Sequence, residues 1–136
     1  MGNARWSDTD WQAHARATGH KSRAEIFTQS GIARELDPTR IEFRESRDSE
    51  ANPNSTPIIL AVDETGSMGI LAETIIKTGL GTIMKAIYDR RPVSDPHIMC
   101  MALGDAYADA APLQVTQFEA GVEPLTAQVK KMFLEG

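Results

Sequence analysis

Apolar residues run unbroken from Ile58 through Ile59, Leu60 and Ala61 to Val62, and Asp63 ends the run. A stretch of this length with no polar interruption predicts a strand of a parallel sheet, covered on both faces. Beyond Met68 the pattern changes period. Leu71, Ile75, Leu80, Ile83, Met84, Ile87 and Tyr88 recur at helical spacing and predict a long helix that stops before Pro92. A second apolar run, Ile98 to Leu103, follows the Asp95-Pro96 turn, so strand, helix and strand form one crossover unit. Leu113 to Phe118 alternates as a third strand would. Val122 to Leu134 places Leu125, Val129, Met132 and Phe133 on one helical face, ending at Gly136. This order predicts an α/β fold, an open doubly wound Rossmann-like sheet with helices on both faces. Gly79 and Gly81 are expected to let the long helix approach the sheet closely, and Gly69 to serve the geometry of the preceding loop.

The first part of the chain has a different texture. Ser7 is placed to cap a helix from Asp8, with Trp6 and Trp11 as a hydrophobic staple and Gly19 as the stop. Ser22 and Glu25 have capping-box spacing at the start of a second short helix, which ends near Gly31. Helices this short and this poor in apolar residues need support, and Trp6, Trp11, Ile26 and Phe27 are the expected anchors against the main domain or a partner; the plainer reading is a loosely ordered extension. From Glu45 to Pro57 no apolar residue is larger than alanine, and two prolines disfavour helix; this stretch is a polar connector. The expected division is residues 1–57 as a helical or irregular extension and 58–136 as the N-terminal part of an α/β domain.

Charge and cysteine content narrow the chemistry. A formal net charge of -5 disfavours nucleic acid and anionic membrane as partners, although basic residues between Arg5 and Arg47 make the first third less acidic. Cys100 is the only cysteine, which excludes an internal disulfide and fits a reducing compartment. His14, His20 and His97 lack partners at zinc-ligand spacing and read as surface or packing residues. No signal-peptide-like or bilayer-length apolar stretch is present, and a cytoplasmic protein is expected.

In open α/β sheets, ligands collect beyond the carboxyl ends of the strands, where the loop Asp63-Glu64-Thr65-Gly66-Ser67 is expected. One carboxylate and two hydroxyls at alternate positions suit a hard cation such as Mg²⁺ or Mn²⁺, which prefers oxygen ligands. The plainer reading is a polar turn that caps the following helix through Ser67. Asp105 and Asp109, after the second strand, are further candidates for the metal's surroundings; otherwise they form a solvated acidic loop. Glu64 reads as a surface charge.

The string DETGSM resembles the DxSxS motif of the von Willebrand factor A (VWA) family, in the DxTGSM form of prokaryotic members. The order of apolar strand, loop, amphipathic helix and second strand ending in Gly-Asp is also similar across about residues 58 to 136. By this resemblance, Asp63, Thr65 and Ser67 are the first three ligands of a metal-ion-dependent adhesion site (MIDAS), the hydroxyls binding directly and Asp63 directly or through water. The family completes its site with a later Thr and a later Asp, and its sheet with further strands, none of which this sequence supplies. The expectation is therefore the N-terminal half of such a domain, as a fragment or with the remainder supplied by another chain. The lead-in from Arg44 to Gly69 is similar to a prokaryotic subgroup partly carried by phages and mobile elements.

The resemblance implies a metal-dependent protein-binding module that accepts an Asp or Glu carboxylate from a protein partner, and no enzymatic activity. The alternative is a structural or assembly subunit that self-associates, or takes a complementing chain, through a free sheet edge. A Mg²⁺-dependent phosphotransferase is weaker, because Thr65 stands where such enzymes place a second carboxylate. Serine-hydrolase, P-loop and dinucleotide-binding motifs are absent.

Overall fold

The computed structural model describes residues 5–63 and 69–134. Strand β1 (Thr56–Asp63) pairs in parallel with β2 (Pro96–Leu103), in register from Thr56 opposite Pro96 to Asp63 opposite Leu103. Strand β3 (Leu113–Val115) runs antiparallel on the other side of β2, giving the order β1-β2-β3. The protein is thus mixed α/β, with a three-stranded mixed sheet among the described residues. The third strand is shorter than its alternating sequence predicts. Past Val115 the contact with β2 continues through the Thr116 amide, which donates to the Cys100 carbonyl at 3.0 Å, and through an isolated bridge between Ile98 and Glu119.

Helices α1 (Asp8–Thr18), α2 (Arg23–Ile26), α3 (Gly69–Thr74), α4 (Leu80–Arg90) and α5 (Val122–Val129) complete the chain. Trp11, Ile26, Ala72, Leu80, Met84, Leu125 and Val129, at least one from each helix, meet Ile58, Leu60, Ile98, Cys100 and Ala102 in a single core. The expected helices on both faces are not found: among the described residues they gather on one. The opposite face carries a smaller cluster of Met99, Val115 and Phe118, against which Ile41 packs just beyond the 3₁₀ turn Pro38–Arg40. This distribution corrects the reading of β1 as covered on both faces. Its residues alternate between half-buried and exposed, and Ile59 is 54% exposed, because β1 lies at the sheet edge while β2 occupies the middle. An unbroken apolar run does not distinguish these two positions.

The N-terminal segment joins this core. Ser7 caps α1 by accepting from the Asp10 amide at 3.2 Å, Gly19 closes it, and Trp6 stacks on Trp11 with ring centroids 5.6 Å apart. Ser22 and Glu25 form the expected capping box, although α2 ends at Ile26. Trp6, Ile26 and Phe27 are buried, as anchors would be. Asp95 ties the connector to the sheet. Its carboxylate accepts from Arg5 at 3.1 Å and from the Asn54 amide at 2.9 Å, and its carbonyl from the Thr56 amide at 3.0 Å.

Two contacts explain the shape of the long helical run from Gly69 to Arg90. A π turn, Ile75–Gly79, separates α3 from α4, and such turns shift the hydrogen-bond ladder by one residue. The Ile76 carbonyl within it accepts from His14 Nε2 at 2.8 Å, which places the ring proton on Nε2. Gly81 gives way to Trp11: a Cβ there would lie 2.1 Å from the indole nitrogen. The close approach expected of Gly81 is therefore to helix α1 and not to the sheet.

Gly81→Ala should lower stability by about 1–3 kcal/mol, because the indole must leave its seat; chemical denaturation monitored by tryptophan fluorescence measures this, and an unchanged midpoint would contradict the contact. A second expectation concerns acid. Burial lowers the pKa of both His14 and His97 from 6.5, outweighing the Ile76 bond and the carboxylates near His97, so both rings stay neutral in the fold. The unfolded chain takes up protons first as pH falls, so stability held above about 6.5 is lost below it. Thermal melts should show this decline, and His14→Gln should make it shallower.

Candidate metal-binding site

Parallel pairing brings the carboxyl ends of β1 and β2 side by side, with Asp63 opposite Leu103. Asp63 is the exposed last residue of β1. Thr65 and Ser67, the other two candidate ligands, lie outside the described residues. The loop that contains them leads into α3 at Gly69, so its two ends are placed by β1 and by the helix packed behind the sheet. Among the described residues no three His, Cys, Asp or Glu side chains gather at metal-binding spacing. The proposed donors at 65 and 67 are hydroxyls, outside that set.

Asp105 and Asp109 occupy the loop that leaves β2 two residues after Leu103. Asp105 Oδ1 accepts from the amides of Tyr107 at 2.8 Å and Ala108 at 3.3 Å, and Asp109 Oδ2 accepts from the Asp105 amide at 2.5 Å. The Asp109 amide in turn donates to the Asp105 carbonyl at 2.9 Å. These bonds engage one oxygen of each carboxylate and shape the loop as an Asx-type turn. Both residues thus have a structural role at the same end of the sheet as Asp63.

Sequence reasoning missed Arg23. From the start of α2 it lies across Gly69, where a Cβ would stand 2.7 Å from its Nη1. Gly69 serves as the bare surface on which that guanidinium rests, as well as the exit of the loop. A positive charge here would repel a bound cation weakly and attract an incoming carboxylate. The glycine immediately after the motif was the available signal, but nothing in the spacing pointed to a residue 46 positions earlier.

Exposed apolar residues lie on the elements that leave this end of the sheet: Leu103 closes β2, Tyr107 follows it, and Ile70 and Leu71 open α3. Ile70 is 66% exposed, Leu71 and Leu103 are partly exposed, and Tyr107 stands fully in solvent. Exposed aliphatic and aromatic groups gathered beside a polar centre are characteristic of protein-binding surfaces. The remaining reactive groups are directed elsewhere. Burial pushes the Cys100 thiol up to about 12, so it is neutral and inert. His97 is buried with Nδ1 2.9 Å from Ser46 Oγ, holding the connector to β2, and His20 is exposed. No helix among the described residues is long and apolar enough to cross a membrane.

Comparison with protein-family models, with curated proteins and with solved structures finds no match to this chain.

Asp105→Ala removes the acceptor of two loop amides. Amide exchange should accelerate by about tenfold or more at Tyr107 and Ala108, as expected for loss of roughly 1–2 kcal/mol of local hydrogen bonding, while β2 amides keep their protection. Unchanged exchange at Tyr107 would show that the carboxylate does not order the loop.

Proposed function

We propose that the chain is a metal-dependent protein-binding module of the von Willebrand factor A type, with an open Rossmann-like arrangement of which the described sheet is one part. Asp63, Thr65 and Ser67 hold Mg²⁺ or Mn²⁺, and an Asp or Glu carboxylate of a protein partner takes an open coordination position. The observation that carries this reading is the position of Asp63: the exposed carboxyl end of a parallel strand, beside the end of β2, with exposed Ile70, Leu71, Leu103 and Tyr107 on the elements that leave that end. A hard cation accepts this donor set. The bound metal supplies a charged, directional anchor for the partner's oxygen. Arg23 adds attraction for the same carboxylate, and the exposed apolar residues supply further contact area. Asp105 and Asp109 fix the neighbouring loop and hold negative charge near the cation. No chemical turnover is assigned to the site.

Titration calorimetry with Mg²⁺ and Mn²⁺ should give saturable one-site binding that weakens at least tenfold, about 1.4 kcal/mol, in Asp63→Ala and Ser67→Ala. Circular dichroism would establish that the variants remain folded. Absence of binding by the folded parent chain, or equal binding by both variants, would sink the reading.

The edge position of β1 favours a second reading, an assembly subunit. Its eight residues include no Lys or Arg, and Ile59 is exposed beside a pairing edge that no described strand occupies. Such an edge accepts another strand. Light scattering distinguishes this reading: a dimer converted to monomer by Ile59→Lys supports it, and a parent chain monomeric at all concentrations removes it.

A further inference from the structure

Away from the metal loop, the segment between the two core clusters forms a cleft of about 350 Å³ lined by Arg34, Arg40, Arg44, Glu35, Ile41 and Gln117. Its floor is firmly set. Leu36 is fully buried in the helix-side core and Ile41 packs into the opposite cluster, so the intervening residues are held at both ends. Asp37 caps the turn Pro38–Arg40 by accepting from the Thr39 amide at 3.0 Å and hydroxyl at 2.7 Å. Arg44 Nη2 donates to the Glu35 carbonyl at 2.7 Å, fixing its guanidinium against the wall.

The charge in this cleft is unbalanced. Of its neighbouring acids, Glu35 bonds Lys131 Nζ at 2.6 Å, and Asp37 is engaged with Thr39 and stands 3.6 Å from Arg40 Nε. Among the described residues neither Arg34 nor Arg44 has a carboxylate at ion-pair distance, and Arg44 Nε is buried without an acceptor. A guanidinium N–H withdrawn from water without an acceptor is costly, and Arg44 keeps one such group while its Nη2 is held by the Glu35 carbonyl, so an anion beside it would offset part of that cost.

We propose that this cleft binds a small phosphate monoester, the phosphate held by Arg34, Arg40 and Arg44 and the organic part resting on Ile41. Three planar donor forks match the several oxygens of a phosphate, whereas a carboxylate is satisfied by one. The volume is at the lower end of the range for small-molecule sites, roughly 300–1,000 Å³, which selects a compact ligand over a polymer. Gln117 adds an amide at the rim. Glu35 also lines the cleft, and its pairing with Lys131 offsets its charge there.

The test is calorimetric titration of the whole chain with inorganic phosphate and with phenyl phosphate, at constant ionic strength, with acetate as the control anion. One saturable site is expected, tighter for phenyl phosphate, and weakened at least tenfold by Arg34→Ala and by Arg44→Lys. Arg34 is exposed, so its substitution leaves the fold intact, and Arg44→Lys keeps the charge while removing the fork. Inorganic phosphate binding as tightly as phenyl phosphate would reject the ester while leaving an anion site. No saturable binding, affinities unmoved by the two substitutions, or equal affinity for acetate would overturn the phosphate assignment. A single-stranded oligonucleotide that binds without displacement by phenyl phosphate would also overturn it. Asp63→Ala should bind phenyl phosphate as the parent does, so failure here is separable from failure of the metal site.

Discussion

Two parallel strands cannot be joined by a tight turn, and that constraint organises this protein. Pairing Thr56–Asp63 with Pro96–Leu103 requires the chain to travel back along the full length of β1 between them, and the helical run Gly69–Arg90 is that return path. Its apolar residues must then meet the sheet. Ile76, Leu80 and Met84 do so on the face presented by Ile58, Leu60, Ile98 and Cys100. The same geometry leaves Asp63 and the start of the Asp105–Asp109 loop side by side at one end. The proposed site is a consequence of the pairing, since the strand ends and the helix start have nowhere else to go.

The N-terminal segment has an equally physical role. Residues between Trp6 and Leu36 fill the helix-side core, and they set two details that the α/β unit alone leaves open. His14 meets the Ile76 carbonyl in the π turn, and Trp11 occupies the space that Gly81 vacates. Arg23 then reaches the start of α3, so the extension touches the edge of the proposed binding surface. The segment that follows runs from the helix-side core at Leu36 to the opposite cluster at Ile41, and its arginines line the cleft between them.

Much of this is legible in the sequence. Ser7, Ser22 and Glu25 announced their caps because those hydrogen bonds are local, and the apolar runs at Ile58 and Ile98 announced strands because no polar residue interrupts them. What escaped was long-range. Whether a run lies in the middle of a sheet or at its edge depends on neighbours, so the exposure of Ile59 could not be read from its own sequence. The partners of Gly69 and Gly81 lie 46 and 70 positions away, and a glycine marks a close approach without naming what approaches. The antiparallel course of β3 also lay beyond the pattern, since alternation specifies a strand and not its direction. For the site, the oxygen-rich loop was visible as chemistry. The exposure of Ile70, Leu103 and Tyr107 near it depends on tertiary burial and was not written in their own spacing.

The proposed function rests on a divalent cation binding where the carboxyl ends of β1 and β2 meet. Paramagnetic Mn²⁺ added at substoichiometric amounts to the isotopically labelled chain tests it directly, because broadening of amide signals falls steeply with distance from the ion. The account expects selective loss of the Asp63, Gly69, Ile70, Leu103 and Asp105 amide signals, with His97 at the far end of β2 unaffected, and recovery on adding excess Mg²⁺. Broadening centred elsewhere, or none at all, would contradict it.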